Sequence, residues 1–173
     1  MNILFLCTHN ACRSILAEAI FRHVAAQLGI AVNVYSAGSA PRGQLHPLTL
    51  QYLTDWQIST TGLASKSWDN LPDVAPSLVI TVCDQAAGES CPVWFGKAVK
   101  AHWSLPDPTR PGLSKASQQQ EFSALANTLQ LRAEALFQFI EPQSDVLATI
   151  AQQFPIQIEK IADVTSSKRS PRG

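Results

Sequence analysis

Cys7-Thr8-His9-Asn10-Ala11-Cys12-Arg13-Ser14 sets a cysteine, five residues, an arginine and a serine between an apolar run and a helical pattern. Successive backbone N–H groups in such a loop point inward and form an anion-sized nest, to which the following helix adds the positive end of its dipole. A thiol at the start of that nest faces several donors and a guanidinium, so its pKa is expected to fall and a thiolate to form near neutrality. Arg13 presents a planar fork to two oxygens of a tetrahedral oxyanion. Ser14 can give its hydroxyl to the Cys7 sulfur or to a leaving sulfur. The oxyanion cradle is therefore expected to run through Thr8, His9, Asn10, Ala11, Cys12, Arg13 and Ser14, with the His9 side chain turned outward. Taken alone, Cys7 reads more commonly as a buried strand cysteine, and the Cys-x5-Arg spacing is moderately weak. The strand before it, the serine after it and the helix beyond make the combination strong.

Elements of alternating type must hold this loop. Ile3–Leu6 is a continuous apolar run, the pattern of a strand buried in a parallel sheet. A helix is expected from Arg13, with Leu16, Ala17, Ile20, Phe21, Val24 and Leu28 inward, Glu18, Arg22 and Gln27 on the other face, and Gly29 as its stop. Val32–Ser36 reads as a second strand, closed by Ala37-Gly38. His46-Pro47 opens a second helix whose inner face holds Leu50, Leu53 and Trp56. Leu78–Cys83 and Val99–Trp103 complete four strands, the first of these following the breakers Pro72 and Pro76. A long helix is expected over residues 116–141, striped by Phe122, Leu125, Leu129, Leu136, Phe137 and Ile140 and stopped by Pro142. Beyond it, 145–154 reads as a short amphipathic helix capped by Ser144, and 166–173 as a solvated tail.

Strands and helices that alternate without hairpin signals imply an α/β fold: a four-stranded parallel sheet with right-handed crossovers and helices on both faces. Sites in such folds lie at the carboxyl ends of strands. Cys7 and Cys83 end two of the expected strands. Two segments are expected: a catalytic domain over 1–141, and a C-terminal helix and tail over 142–173 whose role the residues do not define.

With 46% hydrophobic and 15% charged residues, the chain has the composition of a globular domain rather than a disordered one. Lys+Arg and Asp+Glu are equal at 13 each, so no bulk field recruits nucleic acid or an anionic membrane. An anionic substrate must be caught by local geometry. Met1–Cys7 is apolar but short and carries no basic segment, so it is not expected to be a signal peptide or an anchor. The expectation is a cytoplasmic monomer, in which Cys7, Cys12, Cys83 and Cys91 are thiols rather than structural disulfides. The histidines His9, His23, His46 and His102 show no ligand spacing and no Cys-x2-Cys occurs, so no metal is expected.

Leu6 to Ser14 resembles the phosphate loop of low-molecular-weight protein tyrosine phosphatases and their arsenate reductase relatives, and Ser36-Ala37-Gly38 resembles the segment that supports it. The resemblance covers about residues 1–141. It implies a four-stranded parallel sheet, a cysteinyl intermediate and no bound cofactor. It also implies that Asn10 holds a strained conformation while hydrogen-bonding toward Ser36. Asp107, in Leu105-Pro106-Asp107-Pro108-Thr109, matches the family's general acid, although Asp-Pro alone is a common turn opener.

Cys83 and Cys91 separate two readings within this family. A phosphatase hydrolyses its intermediate with water and needs neither. In an arsenate reductase, Cys7 attacks arsenate, Cys83 attacks the Cys7 sulfur and releases arsenite, and Cys91 draws off a Cys83–Cys91 disulfide for reduction by thioredoxin or a similar external thiol carrier. This arrangement, with Pro92-Val93-Trp94-Phe95-Gly96 after Cys91, resembles the thioredoxin-coupled reductases. The alternatives are packing thiols, or a Cys83 that guards Cys7 against overoxidation; glutathione with glutaredoxin, or mycothiol, could also be the donor. Cys12 reads as buried beneath the loop, or as a second thiol able to trap Cys7. Thr109 and Arg110 stand where phosphatases usually carry a tyrosine, which disfavours an aryl substrate. Some of these reductases bind potassium beside the loop through an acidic residue; Lys66 is its nearest counterpart here, either supplying an ammonium or lying as an ordinary surface lysine. The expected function is arsenate reduction, with phosphotyrosine hydrolysis as the nearest rival and a non-catalytic oxyanion or redox sensor as a more distant one.

Overall fold

The computed structural model describes residues 1–71, 75–83 and 98–139. Strand β1 (Asn2–Cys7) lies in the middle of a four-stranded sheet ordered β2-β1-β3-β4, in which every pairing is parallel. Its partners are β2 (Asn33–Gly38) and β3 (Leu78–Thr81), while β4 (Val99–His102) extends the sheet beyond β3. Ile3 to Leu6 are essentially inaccessible, as a strand covered on both faces requires. The register places Cys7 opposite Gly38 and Leu6 opposite Thr81, so the ends of three strands meet at one edge.

Side-chain alternation splits the sheet into two faces. Ile3, Phe5 and Ile80 point into the larger core with α1 (Arg13–Leu28), Leu53 of α2 (Pro47–Asp55), and Phe122, Leu125, Leu129 and Leu136 of α3 (Lys115–Gln138). Phe21 joins the layers, its ring centroid 4.8 Å from Phe5 and 5.8 Å from Phe137. Tyr52 of α2 stacks on Phe122 of α3 at 4.5 Å. The opposite face holds Leu4, Leu6, Ala37 and Val79, covered by Tyr35, Trp68, Leu71 and Ala98. Among the described residues the cover there includes a 3-10 turn, Trp68–Asn70, whereas the three helices share one core.

Local signals explain the boundaries. Gly29 adopts φ 69° and closes α1, and its N–H and that of Ile30 bond the last-turn carbonyls. The Ser114 hydroxyl accepts the Ser117 N–H at 3.1 Å to start α3. Three face assignments differ from expectation, the first being Leu28 in the last turn of α1, which is 50% exposed. Glu18 is buried rather than outward, because Ser36, Arg22 and Lys66 provide it with polar partners. In α2, Leu50 is 37% exposed and Thr49 is buried in its place. The Thr49 hydroxyl reaches the Ala11 carbonyl at 3.3 Å, and that bond turns the helix toward the loop after β1. Strand β3 stops at Thr81; Val82 donates once more to Leu6, and Cys83 lies past the pairing. Ile140, Pro142, the 145–154 segment, the 166–173 tail and Cys91 lie outside the described residues.

Candidate active site

Cys7 is the last residue of β1 and Arg13 the first of α1, so the segment between them must turn at the carboxyl edge of the sheet. Asn10 makes that turn with φ 46°, a left-handed conformation that asparagine tolerates better than most residues. Its side chain is fully committed: Nδ2 donates to Ser14 Oγ at 2.8 Å and Ser36 Oγ at 3.0 Å, and Oδ1 accepts the Lys66 N–H at 2.9 Å. Ser36 in turn donates to Glu18. Glycine is needed opposite, because a Cβ at Gly38 would lie 2.5 Å from the Thr8 carbonyl oxygen and 2.9 Å from that of Cys7.

The loop carbonyls are turned away from the centre. Thr8 accepts from Ala40, His9 from Arg42 and Ala11 from His46, at 2.9, 3.1 and 3.0 Å. With those oxygens engaged outside, the loop amides are left to face inward. Arg13 donates through Nη1 to the Leu105 carbonyl at 3.0 Å, and its Nη2 lies 4.0 Å from Asp107 Oδ2. That pair bridges the first loop and the loop after β4. A small cleft of about 30 Å3 is lined by Cys7, His9, Ala11, Cys12, Arg13, Arg42, His46, Asp107 and Thr109.

Cys83 comes to the same place from β3. It is buried, its sulfur lies 3.6 Å from Thr8 Oγ1 of the loop, and it is near enough to Cys7 to act on that thiol's titration. Cys83, followed by burial, pushes the Cys7 thiol up; Arg13 and the His9 N–H pull the other way and are outweighed. The lowering expected from the loop alone is thus opposed by the neighbouring thiol and by burial. Cys12 is pushed up to about 12, chiefly by burial, despite a hydrogen bond with Thr49. Such a thiol is a packed one beneath the loop. Burial pushes Asp107 up, but hydrogen bonds from the Thr109 hydroxyl and N–H, at 2.6 and 2.9 Å, together with Arg13 and Arg42, bring its carboxyl below the usual range. Cys7, Cys12 and Cys83 are free thiols.

Beneath the loop, Lys66 Nζ lies 3.9 Å from Glu18 Oε1 and donates to the Ala64 carbonyl at 3.0 Å. Desolvation raises the Glu18 pKa and lowers that of Lys66. His9, with its backbone N–H toward Cys7, is itself exposed and borders the cleft. Arg42 and His46 also line it, and the residue patterns singled out neither. One signal was available for His46: a helix following a strand in a parallel sheet begins at the carboxyl edge.

A sequence profile of the low molecular weight phosphotyrosine protein phosphatase family matches residues 2–146, and the chain belongs to that family. An arsenate reductase of Staphylococcus xylosus is 32% identical over 133 residues, which cover 77% of this chain and 93% of that protein. A protein-arginine-phosphatase of Bacillus subtilis is 37% identical over 87 residues, 49% of this chain and 57% of that one. Among solved structures, the thioredoxin-dependent arsenate reductase of Corynebacterium glutamicum superposes with a TM-score of 0.56 at 31% identity, covering 79% of this chain and 60% of that one.

Proposed function

We propose that this chain is an arsenate reductase that uses Cys7, Cys83 and Cys91 in succession. The observation that carries the reading is a second buried thiol, Cys83, brought against the oxyanion loop 3.6 Å from Thr8 and beside Cys7. A phosphatase passing a thiophosphate to water gains nothing from a second sulfur in that position, whereas a reductase requires one within bonding reach. The similarity to arsenate reductases over most of the chain supports the same substrate.

The resting protonation states suit the first step. Cys7 holds a proton and Asp107 is ionised. When arsenate enters, its oxygens take up the loop amides and Arg13, and the Cys7 proton passes by way of the oxyanion to Asp107. Cys7 sulfur bonds arsenic, and Asp107 returns the proton to the departing oxygen, which leaves as water. Ser14, steered by Asn10, donates its hydroxyl to the Cys7 sulfur.

Cys83 then attacks the Cys7 sulfur. A Cys7–Cys83 disulfide forms, the sulfur–arsenic bond breaks with its electron pair remaining on arsenic, and arsenite leaves. Two thiols have been oxidised and arsenic(V) has become arsenic(III). Cys91, outside the described residues, attacks Cys83, frees Cys7 and leaves a Cys83–Cys91 disulfide for an external dithiol. The family relationship with a thioredoxin-dependent enzyme favours thioredoxin as that donor. A reducing compartment, the cytoplasm, suits these thiols. Lys66 serves as a built-in cation for Glu18 beneath the loop, as the 3.9 Å separation supports.

Arsenate-dependent NADPH oxidation with thioredoxin and its reductase tests the proposal. Wild type is expected to turn over, and Cys83→Ser to lose at least a hundredfold. Turnover that survives in Cys83→Ser refutes the relay. Protein phosphatase activity through a cysteinyl-phosphate is the second reading, favoured by the complete set of Cys7, Arg13 and Asp107 and by the relationship to a family of phosphatases that includes an arginine phosphatase. It predicts hydrolysis indifferent to Cys83 and Cys91.

A further inference from the structure

The segment between β2 and α2 is fastened along the outside of the oxyanion loop. Ala40, Arg42 and His46 each donate a backbone N–H to a loop carbonyl, and Thr49 adds its hydroxyl to the Ala11 carbonyl. Arg42 and His46 thereby line the cleft together with Arg13 and Asp107, and both interact electrostatically with Asp107. His46 is held in a defined form. As the N-cap of the nine-residue α2, its Nδ1 accepts the Leu48 N–H at 3.2 Å, so the ring proton resides on Nε2. Burial, and then the charge of Arg42, move its pKa below the ordinary value, which keeps the ring neutral with one N–H to offer. Arg42 is an exposed cation whose field also reaches Asp107 and Cys12.

We propose that Arg42 and His46 form a second donor wall of the pocket and bind the outer oxygens of a free tetrahedral oxyanion, those that Arg13 and the loop amides do not reach. This rests on the oxyanion-pocket reading above and deepens it to a substrate class. An inorganic anion has an oxygen at every corner and can use both walls. A phosphomonoester has an esterified oxygen at one corner, a weak and shielded acceptor that the second wall cannot use well. The cleft agrees with this: its lining is cysteine, histidine, arginine, aspartate and threonine, with Ala11 the one small apolar side chain, and it offers no face for an aryl group.

The test needs no turnover. The rate of iodoacetamide labelling of Cys7 in the reduced full-length chain is measured against rising inorganic phosphate and, separately, phenyl phosphate. Arg42→Ala and His46→Asn are compared with wild type; asparagine retains the N-cap acceptor while removing the imidazole N–H. Each variant is expected to need at least fivefold more inorganic phosphate for half-protection. Protection by phenyl phosphate should stay within twofold, and Tm should be unchanged. Equal losses for both anions, or no loss with inorganic phosphate in Arg42→Ala, overturns the wall. Failure of wild type to reduce arsenate would count against the reductase reading alone, because the labelling assay decides the wall independently.

Discussion

Two neighbouring thiols do not titrate as either would alone, and here Cys83 and burial together raise the Cys7 thiol against the pull of Arg13 and the loop. Cys83→Ala removes the largest influence holding the proton on Cys7. The pH midpoint for iodoacetamide labelling of Cys7 is therefore expected to move downward in the variant, as mass spectrometry of the labelled peptide would show; an unchanged or higher midpoint would contradict the assignment. Asn10 presents a separable case, since it supplies both a left-handed φ and three hydrogen bonds. Asn10→Gly relieves the backbone but leaves Ser14, Ser36 and the Lys66 N–H without their shared partner. A loss of about 1–3 kcal/mol in urea unfolding is expected, with at least a tenfold lower kcat. Near-wild-type behaviour would mean that φ alone sets the loop.

At the scale of elements, β1, β2 and α2 all meet one loop, and Gly38 of β2 lies against two of its carbonyls. Gly38→Ala would force a methyl against two loop carbonyls. It is expected to cost about 1–3 kcal/mol as overpacking and to reduce Cys7 reactivity, while a smaller effect on both would show that the loop can retreat. The oxyanion loop was legible because its residues are contiguous and its geometry is local to one strand–helix junction. The strands were legible too, because burial on both faces leaves continuous apolar runs. Arg42 and His46 were not, because their place depends on bonds between two segments that share no periodicity. The Glu18 assignment failed for a related reason. Face assignment from apolar spacing sends every carboxylate outward, and only the tertiary arrangement supplies Ser36, Arg22 and Lys66 to receive this one.

For the molecule as a whole, the buried carboxylate beneath the loop links stability to pH. The folded chain holds the Glu18 proton more tightly than the unfolded chain, so this contribution is fully present below the ordinary value of 4.5 and is lost as pH rises through the raised folded pKa. The stability of Glu18→Gln relative to wild type should therefore increase as pH rises from about 4.5, as read from urea midpoints at a series of pH values. A constant difference would remove Glu18 from the linkage. The central claim is a path for electrons, from Cys83 to Cys7 and then from Cys91 to Cys83. It is tested most directly by one turnover with arsenate in the absence of any external reductant, followed by acid quenching and mapping of the disulfides by mass spectrometry. The account predicts a Cys83–Cys91 disulfide with one arsenite released per wild-type chain, and a Cys7–Cys83 disulfide in Cys91→Ser. Arsenite released with all three thiols still reduced, or no arsenite at all, would contradict it.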